Sequence, residues 1–140
     1  MTNKKRVLFL CTGNSARSQM AEGLLRNMAG DRFEVFSAGT IASFVRPQSI
    51  AVMKELGIDI SSHRSKSLNE FIDEPFDYVI TVCDHAAQQC PTFPGNARRI
   101  HWSIDDPVGM GNDEAQLDAF RAARNDLKNR IQQFVATETD

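Results

Sequence analysis

Apolar and polar positions along the chain follow two alternating periods. A continuous apolar run, RVLFL at 6–10, has the character of a strand buried on both faces. Beyond it Met20, Ala21, Leu24, Leu25 and Met28 recur every three or four positions. That spacing predicts a helix from Ser18 to Met28, with Gly30 as its stop. RFEVFSAG (32–39) reads as a second strand. Pro47 opens a second helix, with Ile50, Val52, Met53 and Leu56 toward the core and Gly57 at its end. FDYVITVC (76–83) and RRIHWSI (98–104) supply a third and a fourth strand. A long helix from Asp113 to Ala136 closes the chain. Its buried stripe is Leu117, Phe120, Leu127, Ile131 and Phe134, and Asp113, three positions before Gln116, is its expected cap.

Strands alternating with helices predict an α/β fold: a parallel sheet with helices on both faces and right-handed crossovers. In such sheets ligands bind beyond the carboxyl ends of the strands. Cys11 follows the first strand, Cys83 ends the third, and Asp105 and Asp106 follow the fourth. The residues with chemistry to offer therefore converge on one edge. With no repeat and no linker, residues 1–140 read as a single domain.

Charge and cysteine count narrow the function classes. A net charge of −2 argues against a nucleic-acid partner, which usually meets a basic face. No apolar run approaches a membrane span, and the VLFL run behind the basic amino terminus is too short for a signal-peptide core. Three cysteines do not make an even disulfide framework. A cytoplasmic monomer is expected.

The segment CTGNSARS (11–18) joins the first strand to the first helix. Loop amides at such a junction turn inward and the helix end adds partial positive charge, so a tetrahedral oxyanion fits among Thr12, Gly13, Asn14, Ser15, Ala16, Arg17 and Ser18. Arg17 offers a planar fork to two of its oxygens. The same field favours a thiolate at Cys11, and the Ser18 hydroxyl is placed to donate to it. Gly13 and Ser15 keep the loop compact, and the Asn14 amide can tie it into shape. A nucleotide loop is excluded: there is no Lys-Ser/Thr pair and no G-x-G-x-x-G.

C-x5-R-S after the first strand resembles the low-molecular-weight protein tyrosine phosphatases. The longer stretches CTGNSARSQMAEG, SAGT (37–40), GIDIS (57–61), TVCDHAAQQCP (81–91) and DDP (105–107) resemble the thioredoxin-coupled arsenate reductases built on that fold. The resemblance implies a four-stranded parallel sheet, arsenate as substrate, phosphate or sulfate as possible occupants of the same loop, no tightly bound cofactor, no resident metal in the reaction, and thioredoxin as reductant. It also implies a relay. Cys11 attacks arsenate, Cys83 attacks Cys11 and releases arsenite, and Cys90 then takes over Cys83 in a disulfide that thioredoxin reduces. Asp106, ahead of Pro107, matches the general acid of the related phosphatases. Its alternative role is that of a turn residue.

Two other readings of Cys83 and Cys90 stand beside the redox pair: buried hydrophobes, or a metal site with His85, although C-x-H-x4-C is not a familiar zinc spacing. Two rival functions also stand, a phosphatase whose extra thiols protect Cys11 and a non-enzymatic oxyanion or arsenite sensor. VGMGN after Pro107 lacks the tyrosines that the phosphatases often carry there. Some of the reductases hold a potassium ion with residues matching Asn14, Glu22, Ser37 and an acid. Lys66 stands at the acid's position, so its ammonium is expected to replace the ion and pair with Glu22. Ala16 stands where some relatives have a further cysteine. His63, His85 and His101 have no part in the implied mechanism, and Arg98 and Arg99 read as a solvated strand start.

Spacing adds a conformational expectation. In an intact helix Cys83 and Cys90 would lie about 10 Å apart along the axis, whereas a disulfide needs Cα atoms closer than about 7 Å. If 84–90 is helical when reduced, it must unwind to oxidise.

Overall fold

The computed structural model describes residues 4–109 and 111–138. The start of the basic amino terminus (1–3), Met110 of VGMGN and residues 139–140 lie outside them. Four strands, β1 (Lys5–Cys11), β2 (Phe33–Gly39), β3 (Tyr78–Thr81) and β4 (Arg98–His101), form one parallel sheet in the order β2-β1-β3-β4. The central strand β1 is buried from Val7 onward, as its unbroken apolar run requires. Four helices connect and cover the sheet: α1 (Arg17–Ala29), α2 (Pro47–Lys54), α3 (Asp84–Gln89) and α4 (Asp113–Thr137).

The two faces are read from the pleat. Phe33 and Tyr78 face α4 and pack on Phe134 with ring centroids 5.4 and 5.0 Å apart. Phe36, out of phase with Phe33, faces the other side and packs on Phe71 and Phe76, each at 5.6 Å. Helix α1 lies against β1, β2, α2 and α4, while the short α3 covers the opposite face against β1 and β3. So central is α1 that Ser18, Gln19, Met20, Ala21, Glu22, Gly23, Leu24 and Leu25 are all buried. Arg124 ties α4 to the end of α2, donating to Val52 O at 2.8 Å and Glu55 Oε1 at 2.7 Å. Hydrogen bonds from Arg121 and Arg124 bring the Glu55 carboxyl down to about 2.

Several expected boundaries move. The strand expected over 76–83 is confined to Tyr78–Thr81, because its ladder on β1 closes with Val82 N donating to Leu10 O at 2.8 Å. Cys83 is therefore not a strand residue but the N-cap of α3. The strand expected over 98–104 ends at His101, since Trp102 N makes its last bond to the sheet, with Thr81 O. The α4 cap is Asn112, not Asp113: Asn112 Oδ1 accepts from Ala115 N at 2.9 Å. Gln116 instead supports the preceding turn through Pro107 O and Gly109 N. Leu56 lies past the end of α2 and is 37% exposed, outside the core.

Candidate active site

Loop 11–16 is shaped by where its carbonyls go. Cys11 O accepts from Thr40 N at 3.1 Å, and Thr12 O from Ile41 N at 2.9 Å. Gly13 O accepts from the hydroxyls of Ser43 and Ser65, each at 2.9 Å. Asn14 O accepts from Gln19 Nε2 at 3.2 Å, and Ser15 O from Arg46 N at 2.9 Å and Ser49 Oγ at 3.1 Å. Each oxygen is thus satisfied on the outside of the loop. The amides of residues 13 and 15–18 have no protein acceptor among the described residues, and the amino end of α1 adds its partial positive charge at the same point. The result is an anion cradle with Cys11 at its base.

Cys11 is buried, its sulfur 2.8 Å from Ser18 Oγ and accepting from Asn14 N at 3.2 Å. Both contacts stabilise charge on sulfur. Asn14 is fully buried with φ +48°, a left-handed conformation that asparagine tolerates better than most residues. Its amide explains the cost accepted there. Nδ2 donates to Ser18 Oγ at 2.7 Å and to Ser37 Oγ at 3.0 Å, while Oδ1 accepts from Gln19 Nε2 and Lys66 N, each at 2.8 Å. Close packing on β2 enforces the same loop path. A Cβ on Gly39 would stand 2.5 Å from Thr12 O and 2.7 Å from Asn14 N.

Behind the loop lies a buried polar cluster. Ser37 Oγ donates to Glu22 Oε1, and Lys66 Nζ is 3.6 Å from the same oxygen. Asn14, Glu22, Ser37 and Lys66 are thus together, with an ammonium inside the set. The charge facing Glu22 there is supplied by a side chain of the protein itself. Burial opposes ionisation of Glu22, but Lys66, Ser37, His63 and Arg26 together hold its carboxyl below the usual range. Burial and the neighbouring Arg64 push the Lys66 ammonium down despite Glu22. His63, which the implied mechanism left aside, joins this cluster: Nδ1 is 2.9 Å from Gln19 Oε1, whose amide braces Asn14. Gln19, His63, Gly39 and the serines at 43, 49 and 65 are the support that sequence reasoning missed. The one available signal was polar Gln19 and Glu22 inside an otherwise apolar helix pattern.

Above the cradle opens a cleft of about 210 Å³, lined by Cys11, Gly13, Arg17, Ser43, Arg46 and Asp106 among others. Arg17 is held from behind: one guanidinium nitrogen donates to Ile104 O at 3.0 Å and the other is 3.7 Å from Asp106 Oδ2. Asp106, 57% exposed at the side chain, also accepts from Val108 N at 3.0 Å. It is thus a turn residue, as one of its expected roles has it, and its carboxyl borders the cleft. Asp105 lines a separate groove with Asp126 and the alanines of α4, which Asp106 also borders.

All three cysteines are free thiols. Cys83 is buried, accepts from Ala86 N at 3.4 Å as the cap of α3, and is 3.3 Å from Thr12 Oγ1. The second thiol thus touches the anion loop directly. Cys90 sits at the other end of α3, half-buried, and burial pushes its thiol up while Arg99 opposes that shift. Among the described residues no three His, Cys, Asp or Glu side chains converge on a metal position. His101 links Thr81 Oγ1, at 2.7 Å, to Asp84 Oδ1, at 2.8 Å, and so pins the first turn of α3 to the sheet. Arg98 and Arg99 are exposed, as a solvated strand start should be. No described helix is long and apolar enough to cross a membrane.

Comparison with known proteins agrees with this geometry. Residues 6–139 match the model of the low molecular weight phosphotyrosine protein phosphatase family. An arsenate reductase of Halalkalibacterium halodurans is 46% identical over 136 residues, covering 96% of this chain and 98% of that protein. The arsenate reductase of Bacillus subtilis is 42% identical over 134 residues, covering 95% and 96%. Among solved structures, an arsenate reductase in its phosphate-binding state superposes with a TM-score of 0.76 at 33% identity, covering 95% of this chain and 98% of that one.

Proposed function

We propose that this chain, which belongs to the low molecular weight phosphotyrosine protein phosphatase family, is an arsenate reductase that works by a three-thiol relay. The observation that carries the reading is Cys83, a second buried thiol 3.3 Å from Thr12 of the anion loop. A phosphatase needs one nucleophilic sulfur. A reductase must deliver two electrons, and a thiol pair beside the first sulfur delivers them.

Arsenate enters the cradle against the free amides of 13 and 15–18 and against Arg17. The Cys11 thiolate attacks arsenic, and one oxygen departs as water with a proton from Asp106. Cys83 then attacks the Cys11 sulfur. The sulfur–arsenic bond breaks, its electron pair stays on arsenic, and arsenite leaves behind a Cys11–Cys83 disulfide. Cys90 displaces Cys11 from Cys83, which regenerates the nucleophile. The Cys83–Cys90 disulfide passes to an external dithiol protein, thioredoxin being the partner whose chemistry fits. The chain acts as a cytoplasmic monomer and holds no bound cofactor in this scheme. The phosphate-binding state of the related reductase supports phosphate as a competitor for the loop.

The test is arsenate-dependent NADPH consumption coupled through thioredoxin and its reductase, in wild type, Cys83→Ser and Cys90→Ser, with aryl phosphate hydrolysis run in parallel. Turnover in wild type that is lost in both variants is the expected result. Absence of NADPH consumption, together with aryl phosphate hydrolysis that survives both substitutions, would mean a phosphatase instead.

A further inference from the structure

Two of the side chains lining the cleft carry a guanidinium, Arg17 and Arg46. Arg17 is engaged within the chain, by one hydrogen bond to Ile104 O and by the nearby Asp106 carboxylate. Arg46 is not: it makes no ion pair among the described residues, and its buried Nε has no acceptor among them. Buried donors of this kind call for a reason.

The strap that carries Arg46 is fastened to the anion loop. Ile41 N donates to Thr12 O at 2.9 Å, Ser43 Oγ to Gly13 O at 2.9 Å, and Arg46 N to Ser15 O at 2.9 Å. Any ligand position fixed by the loop is therefore fixed relative to Arg46. The Phe44 ring lies 4.9 Å from the guanidinium carbon, although Phe44 is 54% exposed. An aromatic ring left half in solvent finds its role in that stack. It orients the guanidinium by one face and leaves its N–H edge for an acceptor.

Charge balance says which acceptor. A Cys11 thiolate and a doubly charged oxyanion must share one cleft. The end of α1 supplies about half a positive charge, and Arg17 supplies one more while facing Asp106. Even with Asp106 protonated, that falls short. We propose that Arg46 is a second anion-binding arginine, donating to an outer oxygen of the bound oxyanion and selecting its doubly charged form, with Phe44 as the residue that positions it. The inference rests on the reductase reading only for the identity of the oxyanion as arsenate.

Calorimetric titration of the reduced protein with inorganic phosphate separates an anion-binding Arg46 from a merely structural one. Arg46→Gln should weaken phosphate roughly tenfold or more, the loss expected for one charged hydrogen bond. Arg46→Lys should recover part of that affinity, and Phe44→Ala should cost about threefold. Lys4→Gln removes the same charge at the far end of the sheet and should change little. Wild-type affinity should climb as phosphate takes its second charge, and Arg46→Gln should flatten that climb, which a merely structural role would not do. In arsenate turnover, KM should rise in Arg46→Gln with kcat nearly kept. Unchanged phosphate affinity in Arg46→Gln, beside normal arsenate turnover in wild type, would overturn the role of Arg46 and leave the reductase standing. Phosphate binding that depends on Arg46, in a protein that does not consume arsenate, would overturn the reductase and leave the second arginine standing.

Discussion

At the scale of single residues, the anion loop depends on residues that never touch substrate. Gly39 is one. The missing Cβ lets Thr12 O and Asn14 N approach to 2.5 and 2.7 Å of where it would be, so Gly39→Ala must push the loop off β2. Alkylation of Cys11 by iodoacetamide should then slow at least tenfold and lose its protection by phosphate, while far-UV circular dichroism stays that of wild type. His63 is another. Burial holds its imidazole below the ordinary range, helped by Arg26 and Lys66 and opposed by Glu22 and Asp59. Between that lowered value and about 6.5 the unfolded chain binds more protons than the folded one. Stability is therefore complete above about 6.5 and is lost as pH falls below it. Glu22 does not confuse this window, because its depressed carboxyl releases stability only below about 4.3. Melting temperature should drop between about pH 7.5 and about pH 5.5 in wild type, and much less in His63→Asn, which keeps a polar atom at the Nδ1 position facing Gln19. Lys66 carries the third expectation at this scale. Its ammonium already balances Glu22, so replacing sodium by potassium in the assay should leave arsenate turnover unchanged. A clear potassium activation would count against the pairing.

At the scale of elements, the decisive one is the shortest. Helix α3 has six residues, well below the roughly 12–15 at which an isolated helix becomes even marginal. It holds because Cys83 caps it and His101 grips Asp84. Both supports lie at its amino end, so its carboxyl end, with Cys90, is the part free to open. Opening also removes the burial that pushes the Cys90 thiol up, and so favours its thiolate. Amides 86–90 should therefore exchange faster than those of β1 and β3 in the reduced protein. They should lose protection altogether once one equivalent of arsenate has driven the Cys83–Cys90 disulfide, and Cys83→Ser should keep it. Identical exchange in the reduced and oxidised forms would remove the case for unwinding. The element boundaries that moved have the same local origin. Apolar runs at 76–83 and 98–104 report burial, not pairing. Phe76 and Ile104 are buried without belonging to any strand. Cys83 reads as the end of a strand for the same reason, although its sulfur is the cap of a helix.

At the scale of the whole molecule, alternating periods and the chemistry at strand ends were legible: a parallel sheet, one functional edge, and Cys11, Arg17, Cys83 and Asp106 gathered there. What was not legible is how loops distant in sequence lock onto one another. Ser43, Ser49 and Ser65 are unremarkable in sequence, yet their hydroxyls hold Gly13 O and Ser15 O. Gln19 and His63 lie 44 positions apart and share one hydrogen bond. Long-range polar contacts carry no period, so no pattern announces them. Their consequence is global. Residues 40–49, 63–66 and the first turn of α1 all attach to the anion loop, so occupancy of the loop should stabilise the fold as one unit. At a phosphate concentration about a hundred times its dissociation constant, linkage gives about 2.7 kcal/mol. For a chain of this size that corresponds to a rise of roughly 8 °C in Tm. Cys11→Ser leaves the amide cradle and Arg17 intact and should keep most of the rise. Arg17→Ala removes the fork anchored on Ile104 O and should lose most of it. An equal rise in Arg17→Ala would place the bound phosphate somewhere other than this loop.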